Sequence, residues 1–429
     1  MKKLFALMLA LIMVFALAAP SAFADDAVEI TLWTYPIGGW GNSEKVDELI
    51  AGFEAANPGI KVTVEYLAYA DGDDKVNTAI EGKAAPDLIM EGPERLVANW
   101  GAKGYMVDIA DLWDDADKEE ILPVVAAACF NAAGQSFEYP LCMTAHCMAV
   151  NLARFQAVGA DQYLDLDTHT WTTDDFIAAV GLLAAENPNV AAIFCSGQGG
   201  DQGTRALINN LYSGTFTNPE HTMYTADSAE NIQALELLAG LEGVNFDPAI
   251  VGGDEINLFR QGILDMAFCW NIGAQLNTAD GNEAGFTNDG DPIVCMAFPS
   301  DDGVPELCGG IWGFGIFDNG SEAKIEAAKT FIKYMADSAA TPDAVKASTY
   351  FAVRDKSDDV DLSNIYEGND IMSEYTKLMP FLGDYYQVVP GWAEARTAWW
   401  NMLQQVGAGT DVTEAVTAFC EAANGAAGA

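Results

Sequence analysis

The segment that decides the fold is VEITLWTYPIGGWGNSEKVDELIAGFEAANPGIKVTVEY, residues 28–66. Apolar side chains alternate along residues 28–33 and again along residues 60–66, which is the pattern of two β-strands. Between these strands, four apolar residues recur at the spacing of one helix face: Val46, Leu49, Ile50 and Phe53. Ser43 is placed to cap this helix. The segment therefore predicts a β-α-β unit with a glycine-rich loop after its first strand.

The next segment repeats this unit. A short helix follows the polar loop at residues 71–74, and Pro86 opens a third strand over Leu88–Glu91. Strands that alternate with helices predict an α/β fold in which a parallel sheet is covered on both faces. Ligands of such sheets bind beyond the carboxyl ends of the strands. Here those ends carry residues 33–35, the polar loop and the end of the third strand.

The remainder of the chain continues the α/β pattern. A long strand is predicted over Phe137–Asn151, where the chain crosses to a second set of elements, and a glycine-laced strand over Gly309–Ile316. Thr172 and Asp175 are spaced as a capping box at a helix start. Further strands are predicted over residues 191–194 and 265–270, and further helices over residues 229–241, 255–262, 321–335, 370–379, 392–406 and 412–423.

The first 24 residues have the features of a cleavable secretion signal. Two lysines precede an uncharged apolar run over residues 4–17, a proline follows, and Ala22 and Ala24 supply small residues where a signal peptidase reads. The run is shorter than the roughly 20 residues that a membrane-spanning helix requires. We therefore expect an exported chain that begins at Asp25, with an uncleaved anchor as the alternative.

The size and charge of the chain limit its domain organisation and the kinds of partner that it can bind. Of 429 residues, about 405 remain after removal of the leader, which is more than one hydrophobic core usually serves, so two lobes are expected. The chain holds 63 acidic against 20 basic residues, a formal net charge of −43. Because the sequence shows no basic patch, this charge argues against nucleic acid or an anionic membrane as a partner. It serves solubility outside the cell, or it attracts a cationic ligand.

Eight cysteines are spread over nearly 300 residues, so the chain lacks the compact framework of a disulfide-stapled domain. Cys295 and Cys308 flank a turn-rich stretch, and two states are open to them, a disulfide across a hairpin and buried free thiols. Cys142, His146 and Cys147 are close in sequence, but side chains alternate between the faces of the predicted strand, so three ligands do not converge there. We predict no metal site and no cofactor.

Five short motifs carry a family resemblance. In chain order they are FEAANPGIKV at residues 53–62, APDL at 85–88, CGGIWGFG at 308–315, AAKTFIKYM at 327–335 and FAVR at 351–354. Their order and spacing resemble extracellular solute-binding protein family 1, the receptor components of carbohydrate ABC importers related to maltose-binding protein. The last motif has alanine where the family commonly has proline.

The resemblance implies a two-lobed, periplasmic binding protein-like type II fold with discontinuous lobes joined by hinge crossovers. On this analogy residues 25–140 with 308–340 form the first lobe, and residues 141–307 with 341–429 form the second. The expected function is that of a monomeric, non-enzymatic receptor that closes on a sugar and delivers it to a membrane permease. Such receptors in single-membrane bacteria usually carry a lipidated cysteine after the signal. Here the first cysteine is Cys129, so we expect a periplasmic, cell-surface or extracellular protein without that anchor.

A sugar presents apolar C–H faces and many hydroxyls, so its site needs aromatic rings and well-placed polar groups. Aromatic residues in loops at strand ends are the expected platforms, and Trp40 and Trp270 are the strongest of them. Arg354 is expected to bind ligand or to bridge the lobes. The full set of candidate ligand-binding residues is Trp33, Tyr35, Trp40, Asp71, Asp73, Glu91, Trp270, Asn271, Trp312, Arg354 and Trp392.

Two other functions are compatible with the same features. A receptor for a cation such as a polyamine would also use aromatic boxes and acids, and the net charge favours it. A secreted glycoside hydrolase would line a cleft with tryptophans and two carboxylates. The motifs of serine hydrolases, zincins and P-loop NTPases are absent from the sequence.

Overall fold

The computed structural model describes residues 27–69, 71–196, 201–278, 281, 283–357, 360–383, 389 and 391–428. The predicted secretion signal lies outside these residues. The strands are β1 Val28–Thr34, β2 Ile60–Tyr66, β3 Leu88–Glu91, β4 Tyr139–Ala145, β5 Cys147–Asn151, β6 Ala191–Ser196, β7 Val244–Val251, β8 Met266–Trp270, β9 Ile293–Met296, β10 Gly309–Ile316, β11 Phe351–Ala352, β12 Lys356–Ser357 and β13 Val360–Asp361.

The α-helices follow the same chain order. They are α1 Ser43–Ala56, α2 Gly72–Glu81, α3 Pro93–Arg95, α4 Asp115–Glu120, α5 Pro123–Ala128, α6 Leu152–Val158, α7 Thr173–Ala184, α8 Asp201–Leu211, α9 Ala229–Gly240, α10 Gly252–Arg260, α11 Ile272–Gln275, α12 Glu322–Ala336, α13 Thr341–Ser348, α14 Asp370–Thr376, α15 Trp392–Gly407 and α16 Val412–Ala427. Helix α3 continues as a π-helix over Leu96–Gly101.

The first sheet has six strands in the order β11-β4-β10-β3-β1-β2. Strand β1 lies parallel to β2 and to β3, and β10 runs antiparallel between β3 and β4. Strands β1 to β4 therefore all point the same way, and their carboxyl ends meet at one edge of the sheet. This arrangement confirms the predicted parallel α/β unit.

The second half of the fold is built on two smaller sheets. Strand β5 lies antiparallel between β8 and β9, and β6 pairs in parallel with β7. The chain passes from the first sheet to the second at His146 and returns at Cys308. These two crossings are joined, because the backbone N–H of His146 donates to the carbonyl of Cys308 at 2.7 Å.

Most predicted elements are confirmed, and three details differ. The predicted strand over residues 137–151 is broken at His146, because its two halves pair in different sheets. Asn42, rather than Ser43, caps α1, since its side chain accepts from the backbone N–H of Glu44. The structure has the buried free thiols and not the disulfide for Cys295 and Cys308.

Sheet membership bears on the division into lobes. Strand β4 reaches Ala145 within the first sheet, and β11 adds Phe351 to the same sheet beyond β4. Helix α13 packs beside them against β4 and α12. A division by sheet therefore assigns residues 141–145 and 341–352 to the first unit, whereas the sequence resemblance places them in the second.

Trp40 and Trp270 are core residues, which corrects the expectation that they are ligand platforms. Both are fully buried. The indole N–H of Trp40 donates to the carbonyl of Ala344, and its ring lies edge-on to Phe314 at 5.4 Å. The loop that carries Trp40 folds as a short 3-10 helix against the end of α13, so neither face of the ring reaches solvent.

Trp270 is enclosed in the same way in the second half of the fold. Its N–H donates to the side-chain oxygen of Gln275 at 2.8 Å, and Phe259 packs edge-on at 5.2 Å. A strand end therefore does not by itself expose a ring, because the helix that follows can cover it.

No helix in the described part of the chain is long and apolar enough to cross a membrane.

Replacing Trp270 with alanine tests its place in the core. The lost contacts and the cavity left behind are expected to lower the free energy of unfolding by about 3–5 kcal/mol. The measurement is urea denaturation of both proteins. Tyr105→Ala is the control, since Tyr105 is 43% exposed and its loss should change stability little. A Trp270→Ala protein as stable as this control would contradict the core assignment.

Candidate functional site

Two stacked tyrosines stand at the carboxyl edge of the first sheet. Tyr35 follows β1 and Tyr69 follows β2, and their ring centroids lie 5.1 Å apart at an interplanar angle of 23°. Tyr35 is buried, whereas Tyr69 is 43% exposed. The hydroxyl of Tyr35 donates to Asp73 Oδ1. The buried ring thus holds Tyr69 in a fixed position with part of its surface free for a ligand.

Arg95 is the charged centre of this edge. Its Nε donates to Asp73 Oδ1 at 2.7 Å, and its Nη1 lies 3.2 Å from Glu91 Oε1 and 3.4 Å from Glu94 Oε1. The guanidinium also lies 5.3 Å from the centroid of the Tyr35 ring. One side chain therefore positions three carboxylates and the tyrosine pair.

The electrostatics of the edge follow from burial. Burial raises the pKa of Glu91 to about 8, and the charge of Glu94 adds to this rise while Arg95 opposes it. Burial also raises the pKa of Tyr35, as does its hydrogen bond to Asp73. Burial disfavours the charged form of Arg95, but Glu91 and its neighbours outweigh burial and raise its pKa. Arg95 is thus a permanent cation beside an acid that holds its proton near neutral pH.

A second aromatic pair lies across the same edge. The rings of Trp312 and Tyr350 are 4.7 Å apart and nearly parallel, with an interplanar angle of 16°. Gly313 pairs with Glu91 in the β10–β3 register, so Trp312 lies one residue beyond the end of β3. Its ring lies over Gly310, where an added Cβ would stand 1.8 Å from the nearest ring atom. Only glycine leaves room for this ring position.

Buried polar atoms without a partner accompany these rings. Among the described residues they include Glu94 Oε2, both carboxyl oxygens of Glu138, and the hydroxyl of Thr144 near the end of β4. Glu138 is fully buried. Burial raises its pKa well above the ordinary value, and the charges of Glu94 and Glu91 add to that rise. The edge therefore carries hydrogen-bonding capacity that the described part of the protein does not use.

The structure brings some of the predicted site residues together and leaves others apart. Tyr35, Asp73, Glu91 and Trp312 lie in the arrangement described above. Trp33 is half-buried on β1 with the ammonium of Lys75 5.2 Å from its centroid. Asp71 is exposed at the start of α2 and makes no capping hydrogen bond there.

Two other predicted residues belong to the second half of the fold. Asn271 caps α11, since its side chain accepts from the backbone N–H of Ala274. Trp392 is half-buried at the start of α15, with the guanidinium of Arg205 4.4 Å from its centroid. An open surface groove lies along α15, lined by Glu394, Thr397, Ala398 and Asn401. Of the aromatic residues predicted for the site in the second half of the fold, Trp270 is buried and Trp392 keeps part of its surface exposed.

Arg354 lies in a buried ion-pair network, which argues against ligand binding and is compatible with the alternative expectation that it bridges the lobes. It is buried, and its Nη1 donates to Asp117 Oδ1 at 2.7 Å while its Nη2 donates to the hydroxyl of Tyr139 at 2.9 Å. Asp337 and Lys333 complete the network. Burial alone would raise the pKa of Asp117, but the hydrogen bonds from Tyr139 and Arg354 outweigh it and lower the pKa.

Six residues of the site were missed by the sequence analysis: Tyr69, Glu94, Arg95, Glu138, Thr144 and Tyr350. Arg95 follows Glu91 by four residues, a spacing that places ionic partners on one helix face, so this signal was present. Tyr69 follows a predicted strand and was open to the same argument as Tyr35, whereas Thr144 lay inside the strand predicted over residues 137–151. Tyr350 had no signal, because it precedes a two-residue strand.

Comparison with known proteins gives one family and a set of similar structures. The family model described as bacterial extracellular solute-binding protein matches residues 40–342. No curated protein matches the chain by sequence. The cyclic α-maltosyl-1,6-maltose binding protein of Arthrobacter globiformis superimposes with a TM-score of 0.74 at 17% identity, covering 93% of this chain and 99% of that one.

Two further structures are similar over nearly their full length. The GacH receptor of Streptomyces glaucescens has a TM-score of 0.68 at 15% identity, covering 92% of this chain and 97% of that one. A solute-binding protein of Thermotoga lettingae has a TM-score of 0.70 at 20% identity, covering 93% and 100%. The expected two-lobed, periplasmic binding protein-like fold is confirmed.

Arg354→Ala tests the structural assignment of this residue. The substitution removes the closer of the two cations that contact buried Asp117 and leaves Lys333 3.4 Å from it, so we expect the free energy of unfolding at pH 7 to fall by about 3 kcal/mol. Because the native pKa of Asp117 is lowered, its stabilising charge is present above the ordinary carboxyl pKa and lost as the pH falls through the native value. The loss caused by Arg354→Ala should therefore shrink between pH 5 and about pH 3.

The control for this experiment is Lys61→Ala, which removes a surface ion pair with Glu54. Surface pairs contribute about 1 kcal/mol or less, so this variant should remain close to wild type. Urea denaturation at several pH values measures both. An Arg354→Ala protein no less stable than the control at pH 7 would show that Arg354 is free for another role.

Proposed function

Because the chain belongs to the family of bacterial extracellular solute-binding proteins, we propose that it is the receptor of an ABC importer for a sugar or oligosaccharide. The ligand binds at the carboxyl edge of the first sheet and is enclosed by the second half of the fold. The receptor then presents the ligand to a membrane permease. A single copy of the chain suffices for these steps.

The observation that carries the ligand class is the exposed face of Tyr69 beside the charged centre at Arg95. An aromatic ring covers the C–H face of a sugar, and carboxylates and a guanidinium pair with its hydroxyls. Trp312 supplies a second ring at the same edge, and the buried hydroxyl of Thr144 has no hydrogen-bond partner among the described residues. This combination of rings and polar groups fits a carbohydrate better than a wholly apolar solute.

Similar structures support the same ligand class. The GacH receptor is known in complex with acarbose, the Thermotoga lettingae protein is bound with α-D-tagatose, and the Arthrobacter globiformis protein is a binding protein for cyclic α-maltosyl-1,6-maltose. These ligands are mono- or oligosaccharides and their relatives. They leave open which sugar this chain selects.

Two lobes and a hinge give the receptor its mechanism. We place the first lobe at residues 27–145 with 309–352, following sheet membership, and assign the remainder of the mature chain to the second lobe. A hinge between lobes has to lie where the chain passes from one lobe to the other. The two hydrogen-bonded crossings at His146 and Cys308 are therefore its expected position. We expect Trp392 in the second lobe to meet the ligand on closure.

A glycoside hydrolase is the competing function from another class. The family and the similar structures are binding proteins, which supports a receptor without turnover. Prolonged incubation with oligosaccharides separates the two functions. Release of new reducing ends by the purified protein would contradict the receptor.

The receptor has to act outside the cytoplasmic membrane, and the predicted signal over residues 1–24 supplies the export route. We expect N-terminal sequencing of the exported protein to begin at Asp25. A mature chain that retains the apolar run over residues 4–17 would instead favour an uncleaved anchor.

Tyr69→Ala tests the binding site directly. A panel of mono- and oligosaccharides is first screened for thermal stabilisation, and the affinity of the best ligand is then measured by calorimetry. Loss of an aromatic platform should weaken binding at least about tenfold, or about 1.4 kcal/mol, with little change in stability because the ring is half-exposed. Tyr105→Ala is the matched control, since Tyr105 is also 43% exposed but lies outside the site.

Three outcomes are informative. Weaker binding by Tyr69→Ala with normal binding by Tyr105→Ala supports the site. Equal affinity in both variants moves the ligand elsewhere in the protein. No stabilisation of the wild-type protein by any sugar would contradict the ligand class.

A further inference from the structure

The carboxyl groups at the proposed site outnumber the basic groups that contact them. Asp73, Glu91 and Glu94 all face the guanidinium of Arg95, and in the described residues Arg95 is the cation that pairs with the two glutamates. Glu138 adds a fourth carboxyl group, close enough for Glu91 and Glu94 to act on it. A single guanidinium balances the charge of one carboxylate. Burial favours the protonated forms of Glu91 and Glu138, so the four carboxyl groups can balance a second cation at this edge.

The geometry shows where positive charge and hydrogen-bond donors are missing. Glu94 uses Oε1 for Arg95, while its Oε2 is buried without a partner among the described residues. Both carboxyl oxygens of Glu138 also have no hydrogen-bond partner among the described residues, and this side chain is fully buried. Buried acceptors of this kind are stabilised best by a charged N–H donor. The unpaired atoms are therefore complementary to an ammonium group.

The aromatic rings add a second feature that favours a cation. The face of a tyrosine ring is negative, and a cation within about 6 Å of its centroid is attracted to it. Arg95 already uses this attraction at Tyr35 and lies 6.0 Å from the centroid of Tyr69. The exposed part of Tyr69 offers the same attraction to a ligand. An ammonium beside Tyr69 would contact ring and carboxylates together.

We propose that the ligand is an amino sugar whose protonated amino group is bound by Glu94 and Glu91 beside Tyr69. This inference rests on the proposed function, since it specifies the sugar that the same site selects. The hydroxyls and C–H face of the sugar use Trp312 and Tyr350 across the edge. The large negative charge of the whole chain, −43, attracts such a ligand from solution.

The protonation of Glu91 agrees with this proposal. Among the described residues, the groups that face Glu91 are Arg95 and Glu94 on its own segment, Asp73 on α2, Glu138 next to β4, and the tyrosines Tyr35, Tyr69 and Tyr350. Burial holds the pKa of Glu91 at about 8, so the acid keeps its proton when no second cation is present. An arriving ammonium supplies the missing charge and allows that proton to leave.

The experiment compares amino sugars with their hydroxyl counterparts of the same linkage. Glucosamine is paired with glucose, galactosamine with galactose, and chitosan oligosaccharides with cello-oligosaccharides, all by calorimetry on the full-length mature protein at pH 6, where the amines are charged. We expect one amino sugar to bind at least about tenfold more tightly than its counterpart. This preference should weaken as salt is added.

Glu94→Gln removes one negative charge and keeps the shape of the side chain. The ratio of amino-sugar affinity to counterpart affinity should fall towards one in this variant and stay at the wild-type value in Glu236→Gln. Glu236 is an exposed glutamate on α9 and serves as the matched control. The wild-type comparison does not depend on whether either variant folds.

The outcomes separate this inference from the proposed function. If neutral sugars bind and their amino counterparts bind no more tightly, the inference is overturned while the sugar receptor stands. If no sugar binds and spermidine stabilises the protein, the proposed function fails and the amino-sugar assignment fails with it. Tighter binding of an amino sugar that survives Glu94→Gln would place the ammonium elsewhere and overturn the assigned contact.

Discussion

The parallel alignment of the strands in the first sheet is the constraint on which the site depends. Since β1 to β4 point the same way, residues that follow different strands meet at one edge although the sequence separates them. Tyr35, Tyr69, Glu91 and Thr144 each stand at the end of a different strand. The antiparallel strand β10 brings Trp312 to the same edge from the opposite direction. A change in strand order would disperse the site.

The charged groups at this edge are stabilised by contacts within the protein and not by hydration. Arg95 is mostly buried and contacts carboxylates whose own burial favours the protonated form. A second buried arginine, Arg354, has its carboxylate partners fully engaged and holds α4, β4 and α12 together. The two arginines therefore illustrate two uses of a buried cation: one completes a closed network, and the other leaves acceptors available for a ligand.

The fold was predictable from the sequence, because alternation and helical spacing report directly on burial. The site was predictable only in part. Tyr35, Asp73 and Glu91 were found since each follows a predicted strand, whereas the burial of Trp40 depends on α13, some 300 residues away, and no local pattern reports such a contact. The partner of Arg354 was also beyond the reach of local patterns, because Asp117 is remote in sequence.

A crystal structure of the protein with the best sugar from the binding screen tests the central claim most directly. The account predicts a closed form with the sugar at the carboxyl edge of the first sheet, one C–H face on Tyr69 or Trp312 and polar groups within hydrogen-bond distance of Glu94 and Arg95. Density for the sugar on another surface, with the Tyr69 ring in contact with solvent, would contradict the account.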